Sequence, residues 1–316
     1  MRAPDFWRQR GAVARLLAPL GKLYGASVAF KAAHAKPYRA PVPVICVGNL
    51  TAGGSGKTPV AIAVAKLLLA RGRKPVFLTR GYGGKERGPA LVKDHHGARL
   101  MGDEALLLAR TAPTIVSRDR AIGGAVAANE KPDVIVMDDG HQNFALAKNL
   151  SLVVVDGGGG FGNGLVLPAG PLREPVAQGL SRADAVIIMG EGTPELAGFS
   201  GPVLRAHILP EPNELAGRKV LAFAGIGRPQ KFFDTLVSAG AFVQETQAFA
   251  DHYVYRPADL AALRARARAR GALLVTTEKD LVRIPPEQRT DITALAVQAR
   301  FADEAALVRL LERLWP

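Results

Sequence analysis

The rhythm of apolar and polar positions changes near residue 40. Before it, Val13, Leu16, Leu17, Leu20 and Tyr24 recur at the spacing of one helix face, with Phe6 and Trp7 upstream. That pattern predicts an amphipathic helix, suited to a bilayer interface or to packing on its own domain, and bent or split at Pro19. Beyond it, short apolar runs predict strands at Val42–Val47, Pro75–Leu78, Thr114–Val116, Val134–Met137, Leu152–Val155, Ala185–Met189 and Val203–Ile208. Helical patterns such as Val60–Ala70 and Asp103–Arg110 lie between them. Such alternation predicts an α/β fold built on a mainly parallel sheet with helices on both faces.

Pro210, Pro212 and Gly217 then punctuate the chain. A second series follows, with strands at Val220–Ala224, Phe242–Thr246, Leu273–Thr276 and Ile292–Val297, and helices at Gln230–Val237, Ala258–Arg268 and near Ala302–Leu314. The expected division is a first domain over 1–208 and a smaller second α/β domain over 209–316. A chain of 316 residues fits two cores better than one. With 48% hydrophobic and 22% charged residues, it has ample material for both.

Charge adds a preference for anionic partners. Lys and Arg total 41 against 28 Asp and Glu, a net charge of +13, which draws in nucleic acid, lipid head groups and phosphorylated small molecules alike. The first forty residues carry Arg2, Arg8, Arg10, Arg15, Lys22, Lys31, Lys36 and Arg39 against the single acid Asp5. The Ala/Arg-rich run Ala261–Arg270 reads as a solvated helix face and not as a nucleic-acid arm. Cys46 is the single cysteine and sits in an apolar run, as a buried strand thiol would, so an internal disulfide framework is excluded. Without a secretory signal pattern or roughly 18 consecutive apolar residues, the expectation is a reducing cytosolic setting with peripheral membrane contact.

The strongest local signal is Thr51-Ala52-Gly53-Gly54-Ser55-Gly56-Lys57-Thr58, which follows an apolar strand and precedes a helix. Its glycines let backbone N–H groups surround phosphate oxygens at the positive end of the helix. Lys57 suits β/γ-phosphate charge, Thr58 offers a hydroxyl to Mg²⁺, and Pro59 fits the first helical turn. The pattern departs from GxxxxGK[ST] in having Thr51 at its first position. A second half-site is expected where Val134–Met137 runs into Asp138-Asp139, with Asp138 the metal candidate and Asp139 an outer or substrate-facing group. The pairing predicts binding of ATP with Mg²⁺.

Around these motifs the chain resembles the tetraacyldisaccharide 4'-kinase family, the lipid A 4'-kinases of Gram-negative bacteria. The resemblance runs through Pro43–Thr51, Thr79-Arg-Gly-Tyr-Gly-Gly84, Gly102-Asp-Glu104, Asp138-Asp-Gly140 with Gln142, and Leu167–Pro175. It continues through Ala222–Gly227 with Pro229, Phe249, Asp251-His252 and Thr276-Thr-Glu-Lys-Asp280. It implies transfer of the ATP γ-phosphoryl group to the 4'-hydroxyl of a tetraacylated glucosamine disaccharide 1-phosphate. It also implies Mg²⁺ dependence, a monotopic placement at the cytoplasmic face of the inner membrane, and a P-loop-like domain joined by a β-ribbon to a smaller domain across the active-site cleft. Such a protein has an anionic membrane surface, and no nucleic acid, as its partner.

The same resemblance makes Asp103 and His252 the catalytic pair, one from each domain. Chemistry requires a proton acceptor beside the phosphates, although Asp103 also suits a helix N-cap and His252 an ordinary loop. Arg80, Arg120 and Arg173 are candidate anion ligands, Arg173 foremost, with ATP, the lipid phosphate and Glu174 as its alternatives. Gly157–Gly160 reads as a linker, and Glu278, Lys279 and Asp280 follow a strand without an assignable role. Three positions depart from the family pattern: His141 and Asn143 stand in a segment usually Asp-Asp-Gly-Phe-Gln-His, and Tyr253 where a second histidine is common.

A switch ATPase of the partition type also combines a deviant glycine loop with a membrane helix. Ala52 opposes it, because those proteins carry a signature lysine there. An anion-binding module without chemistry leaves the Asp-Asp and Asp-His pairs unexplained.

Overall fold

The structure, a computed structural model, describes residues 4–315; Arg2, counted above among the basic side chains, lies outside that range. Helix α1 (Ala12–Ala33) is followed by β1 (Val44–Gly48), α2 (Lys57–Ala70), β2 (Pro75–Thr79), β3 (Ala90–Leu91), α3 (Ala98–Met101) and α4 (Asp103–Ala109). Next come β4 (Thr114–Val116), α5 (Arg120–Asn129), β5 (Val134–Asp138), β6 (Leu150–Asp156), α6 (Val176–Leu180), β7 (Ala185–Met189) and β8 (Val203–Pro210). The remainder is β9 (Lys219–Ala224), α7 (Pro229–Ser238), β10 (Phe242–Ala248), α8 (Pro257–Ala269), β11 (Leu273–Thr277), α9 (Glu278–Leu281), β12 (Ile292–Leu295), β13 (Val297–Phe301) and α10 (Glu304–Glu312).

Nine strands form the larger sheet in the order β13-β8-β7-β6-β1-β5-β2-β4-β3. Strands β8 through β4 pair in parallel, whereas β13 with β8 and β3 with β4 pair antiparallel. The central strands β1, β5 and β6 are buried along their whole length, as near-continuous Val/Ile/Leu runs require when both faces are covered. One face packs Val60, Val64 and Leu68 of α2 with Leu307 and Leu311 of α10. The other packs Cys46, Ile135, Met137 and Leu146. The smaller sheet has the order β10-β9-β11-β12, all parallel. Phe232, Phe233 and Leu236 of α7 cover one of its faces, Leu260 and Leu263 of α8 the other. Its strand order reverses at β9, with β10 on one side and β11 on the other, so the crevice above β9 and β11 is where such a sheet exposes a site.

The apolar run Ile292–Val297, expected as one strand, is two. Leu295 closes the core of the smaller sheet, while Ala299, two residues into β13, is buried in the larger one. The chain thus leaves the large sheet on β8 and returns on β13, with Val297 paired to Pro210 and Phe301 to Ala206. The expected division at 209 therefore misses a return: 297–315 belongs with the first core, and the two antiparallel strands form the ribbon between the units. A continuous apolar run cannot reveal that its two halves face different cores.

Helix α1 runs through Pro19 as one element, so of the expected bend or split the split does not occur. Ala14, Gly21, Gly25 and Val28 form its buried stripe. Gly21 lies so close to the Val166 carbonyl that a Cβ would stand 2.6 Å from its oxygen, so only glycine lets the helix dock there. Leu16, Leu20, Leu23 and Phe30 point away, with Leu16 80% exposed. Among the described residues no helix is long and apolar enough to cross a membrane.

Gly157–Gly160, expected as a linker, is an anchored turn. Gly157 N donates to Met189 O at 2.9 Å and Gly160 N to Asp156 O at 2.7 Å. The Asp156 carboxylate holds Arg228 and Lys231 of the second unit at 2.5 and 3.3 Å.

Candidate active site

Strand β1 ends at Gly48, and the glycine-rich turn leads into α2, whose first residue is Lys57. Gly56 caps that helix with φ +89, a conformation that side chains with a Cβ avoid. Buried Asn49 ties the turn together: its Nδ2 donates to Thr51 O at 2.8 Å and to Ser55 Oγ at 3.0 Å. Gly53 and Gly54 have open space beside them, leaving that side of the turn accessible.

Strand β5 pairs directly with β1, Val47 opposite Asp138. This register brings the second residue of α2 to the carboxylate, and Thr58 Oγ1 donates to Asp138 Oδ2 at 2.9 Å. Asp138 Oδ1 is buried with no hydrogen-bond partner among the described residues. Burial, with the negative charges of Glu104 and Asp139 beside it, pushes the Asp138 carboxyl up to about 7. A buried carboxylate oxygen without a donor, next to a hydroxyl, fits a divalent cation. Among the described residues no group of three or more His, Cys, Asp or Glu is placed to hold a metal ion by itself.

Asp139 has φ +53 and turns to the cations. Lys57 Nζ is 3.8 Å from Oδ1, and Arg173 makes two parallel bonds, at 2.7 and 3.1 Å. Burial works to raise the Asp139 carboxyl, but Lys57 and Arg173 hold it below its usual range. Arg173 also reaches Gln142 Oε1 at 3.3 Å, and Gln142 Nε2 donates to Asn49 O and Glu174 Oε1, both at 2.8 Å. Of the alternatives for Arg173, Glu174 is thereby excluded: it pairs with Arg182 instead. Arg120 is buried and bonded to Ser117 O, its Nε without a partner among the described residues. Burial pushes it down to about 10 against the pull of Asp139 and Asp138. Arg80 is exposed just past β2.

Asp103 opens α4 directly after Gly102, and the segment 81–86 folds against that corner. Gly84 N donates to Gly81 O at 3.0 Å, Lys85 N to Arg99 O at 3.2 Å and Glu86 N to Leu100 O at 2.9 Å. Asp103 is buried; its Oδ1 accepts from Glu104 N at 2.9 Å and its Oδ2 from His252 Nδ1 at 3.0 Å. His252, with φ +57, is held by its own N–H on Gly225 O at 3.0 Å, above β9. The edge of its ring meets Tyr82 at a centroid distance of 5.6 Å. Asp103 and His252 are therefore brought together across the two units, and Glu104 beside them is close enough to act on Asp138. Desolvation opposes the Asp103 charge, but the His252 hydrogen bond and the charges of Lys279 and Arg283 hold its carboxyl well below the usual range.

Arg283 is the residue that sequence reasoning missed. Its Nε donates to Asp103 Oδ2 at 2.7 Å. The available signal was its place one helical turn after Asp280, the last residue of a recognised motif. The residues of that motif now have contacts: Lys279 pairs with Glu104 at 3.0 Å, Glu278 with Arg110 at 3.3 Å, and buried Asp280 accepts from Gly225 N and Tyr255 Oη. The three departures from the family pattern make structural contacts. His141 packs against Gly48, its Nε2 2.8 Å from Gly179 O, and burial pushes it down to about 3, so it stays neutral. Asn143 Oδ1 accepts from Ala145 N at 3.1 Å, and Tyr253 Oη donates to Asp259 at 3.0 Å.

The family described as tetraacyldisaccharide-1-P 4'-kinase matches residues 13–315. A tetraacyldisaccharide 4'-kinase of Paramagnetospirillum magneticum is 53% identical, covering 99% of this chain and 99% of its own. One from Rhodospirillum rubrum is 51% identical, covering 99% and 98%. The crystal structure of an "apo" form of LpxK from Aquifex aeolicus in complex with ATP aligns with a TM-score of 0.78 at 28% identity, over 96% of this chain and 100% of that one. With a family match over nearly its whole length and relatives at half identity, this chain belongs to the tetraacyldisaccharide-1-P 4'-kinase family.

Proposed function

We infer that the chain is an ATP-dependent kinase of lipid A biosynthesis, moving the γ-phosphoryl group to the 4'-hydroxyl of a tetraacyldisaccharide 1-phosphate. The observation that carries the residue roles is the Asp103–His252 hydrogen bond at 3.0 Å between the two units.

In this reading residues 51–58 (Thr51, Ala52, Gly53, Gly54, Ser55, Gly56, Lys57 and Thr58) surround the triphosphate, with backbone N–H groups and the start of α2 directed at it. Lys57, released from its 3.8 Å approach to Asp139, neutralises the β/γ-oxygens. Thr58 and Asp138 hold Mg²⁺, which supplies positive charge against the charge that builds on the phosphate oxygens. Arg173 and Gln142 fix Asp139 and the base of the loop. The pair of Asp103 and His252 orients the acceptor hydroxyl and takes its proton as the oxygen bonds to phosphorus.

The exposed stripe Leu16, Leu20, Leu23 and Phe30 supports contact with the cytoplasmic face of the inner membrane, where Lys22 and Lys31 meet anionic head groups. The acyl chains of the substrate can then stay in the bilayer while its sugar enters the cleft. Incubation with γ-labelled ATP, Mg²⁺ and the disaccharide lipid in mixed micelles tests the reading. Label in the lipid fraction that depends on both the lipid and Mg²⁺ is the expected outcome; label only in inorganic phosphate would refute it.

A further inference from the structure

Asp103 Oδ2 is shared between two donors from the second unit. His252 Nδ1 reaches it at 3.0 Å and Arg283 Nε at 2.7 Å, while Arg283 Nη2 bonds to the same oxygen. Nη2 and Nδ1 stand 3.4 Å apart with that oxygen between them. The other arm of the guanidinium, Nη1, donates to Gly225 O at 2.6 Å and to Asp280 Oδ1 at 3.0 Å. Gly225 O is also the acceptor for the His252 N–H. One planar group thus grips the carboxylate of the first unit and the peptide that carries the imidazole of the second. Its side chain is 6% exposed and that of Asp103 3%.

We propose that Arg283 is a positioning residue for this pair, its guanidinium holding the Asp103 carboxylate against the Gly225 peptide that anchors His252 so that the pair keeps its reactive geometry. The proposal rests on the kinase reading and deepens it. A carboxylate oxygen that accepts from several charged donors stays ionised and can only accept. It therefore fixes the imidazole proton on Nδ1 and leaves the Nε2 lone pair free. Asp251 Oδ1, at 3.8 Å from Nε2, is beyond hydrogen-bond reach and does not compete. The charged groups facing the pair are Asp103 and Glu104 from α4, Lys279 and Asp280 from α9, Arg283 just beyond it, and Asp251 from the loop that bears His252; Tyr82 lies at the ring edge. In the transfer the acceptor oxygen bonds to the γ-phosphorus and the bond from that phosphorus to the bridging β,γ-oxygen breaks. ADP leaves with that electron pair, and the hydroxyl proton passes to the pair.

The test is the pH profile of kcat for wild type, Arg283→Gln, Arg283→Lys and His252→Gln, with KM for ATP measured alongside. Arg283→Gln is expected to lower kcat at least about tenfold with KM for ATP within about twofold, because positioning of the proton acceptor counts only in the transfer step. Without the cation a further proton binds the pair more readily, so the low-pH fall in kcat moves to higher pH. Arg283→Lys should recover part of kcat and of the limb position, since it restores charge without the planar fork. His252→Gln should abolish that limb. Wild-type kcat and an unmoved limb in Arg283→Gln, or a loss confined to KM for ATP, would overturn the role of Arg283 alone. If Arg283→Gln does not fold, a folded Arg283→Lys with an unaltered profile overturns it equally. No transfer by wild type overturns the kinase reading along with it.

Discussion

His252 Nδ1 lies 3.0 Å from Asp103 Oδ2, although the two residues are 149 positions apart and mounted on different sheets. Their contact exists only when the α4 corner of the first unit meets the loop above β9 of the second. Groups that act as one unit lose function non-additively. Asp103→Ala and His252→Ala should each lower kcat by about a hundredfold or more, with the double variant far less impaired than the product of the two. Multiplicative losses in steady-state kinetics would show two independent groups.

Lys57 is the cation at the helix start, 3.8 Å from Asp139 and nearly buried. Phosphoryl transfer depends on charge placed before the reaction, so Lys57→Ala should lower transfer by about a thousandfold or more. Turnover near wild type in the labelled-ATP assay would remove residues 51–58 from the site.

Asp138 gives a pH-dependent stability with a defined sign. Its carboxyl is raised to about 7 in the folded state from 3.8. Between those values the folded protein holds a proton that the unfolded chain releases, so this group makes stability fall as pH rises. Asp138→Asn should therefore raise the Tm of metal-free protein at pH 8 and leave it nearly unchanged at pH 4, while transfer is lost. Thermal unfolding in EDTA checks this, and an equal shift at both pH values would contradict the assigned cause.

Helix α1 presents Leu16, Leu20 and Leu23 outward. Each Leu moved from water into a lipid interface contributes about 1.5–3 kcal/mol. Replacing all three with Glu should abolish sedimentation with anionic phospholipid vesicles, at little cost to Tm because the positions are exposed. Unchanged sedimentation would sink the membrane role of this face.

The layered α/β fold was legible because buried parallel strands read as Val/Ile/Leu runs, and the glycine turn and Asp138 stood at their ends. Asp103 and His252 came from motif resemblance; no local pattern connects them, since the contact depends on how the units dock. The return of β13 to the large sheet was hidden because Ile292–Phe301 is apolar toward two cores in succession. Arg283 was invisible for a similar reason: one arginine among many gains its meaning from the carboxylate it meets across the cleft. The docking of α1 depended on Gly21 and Gly25, positions that an apolar-face count leaves out.

The position of the transferred phosphate on the lipid product is the most direct test of the central claim. Correlation of phosphorus and proton signals in the purified product should connect the new phosphorus to the proton on carbon 4', with the 1-phosphate intact. A new phosphate on any other carbon, or ATP consumed with no phosphorylated lipid formed, would contradict the account.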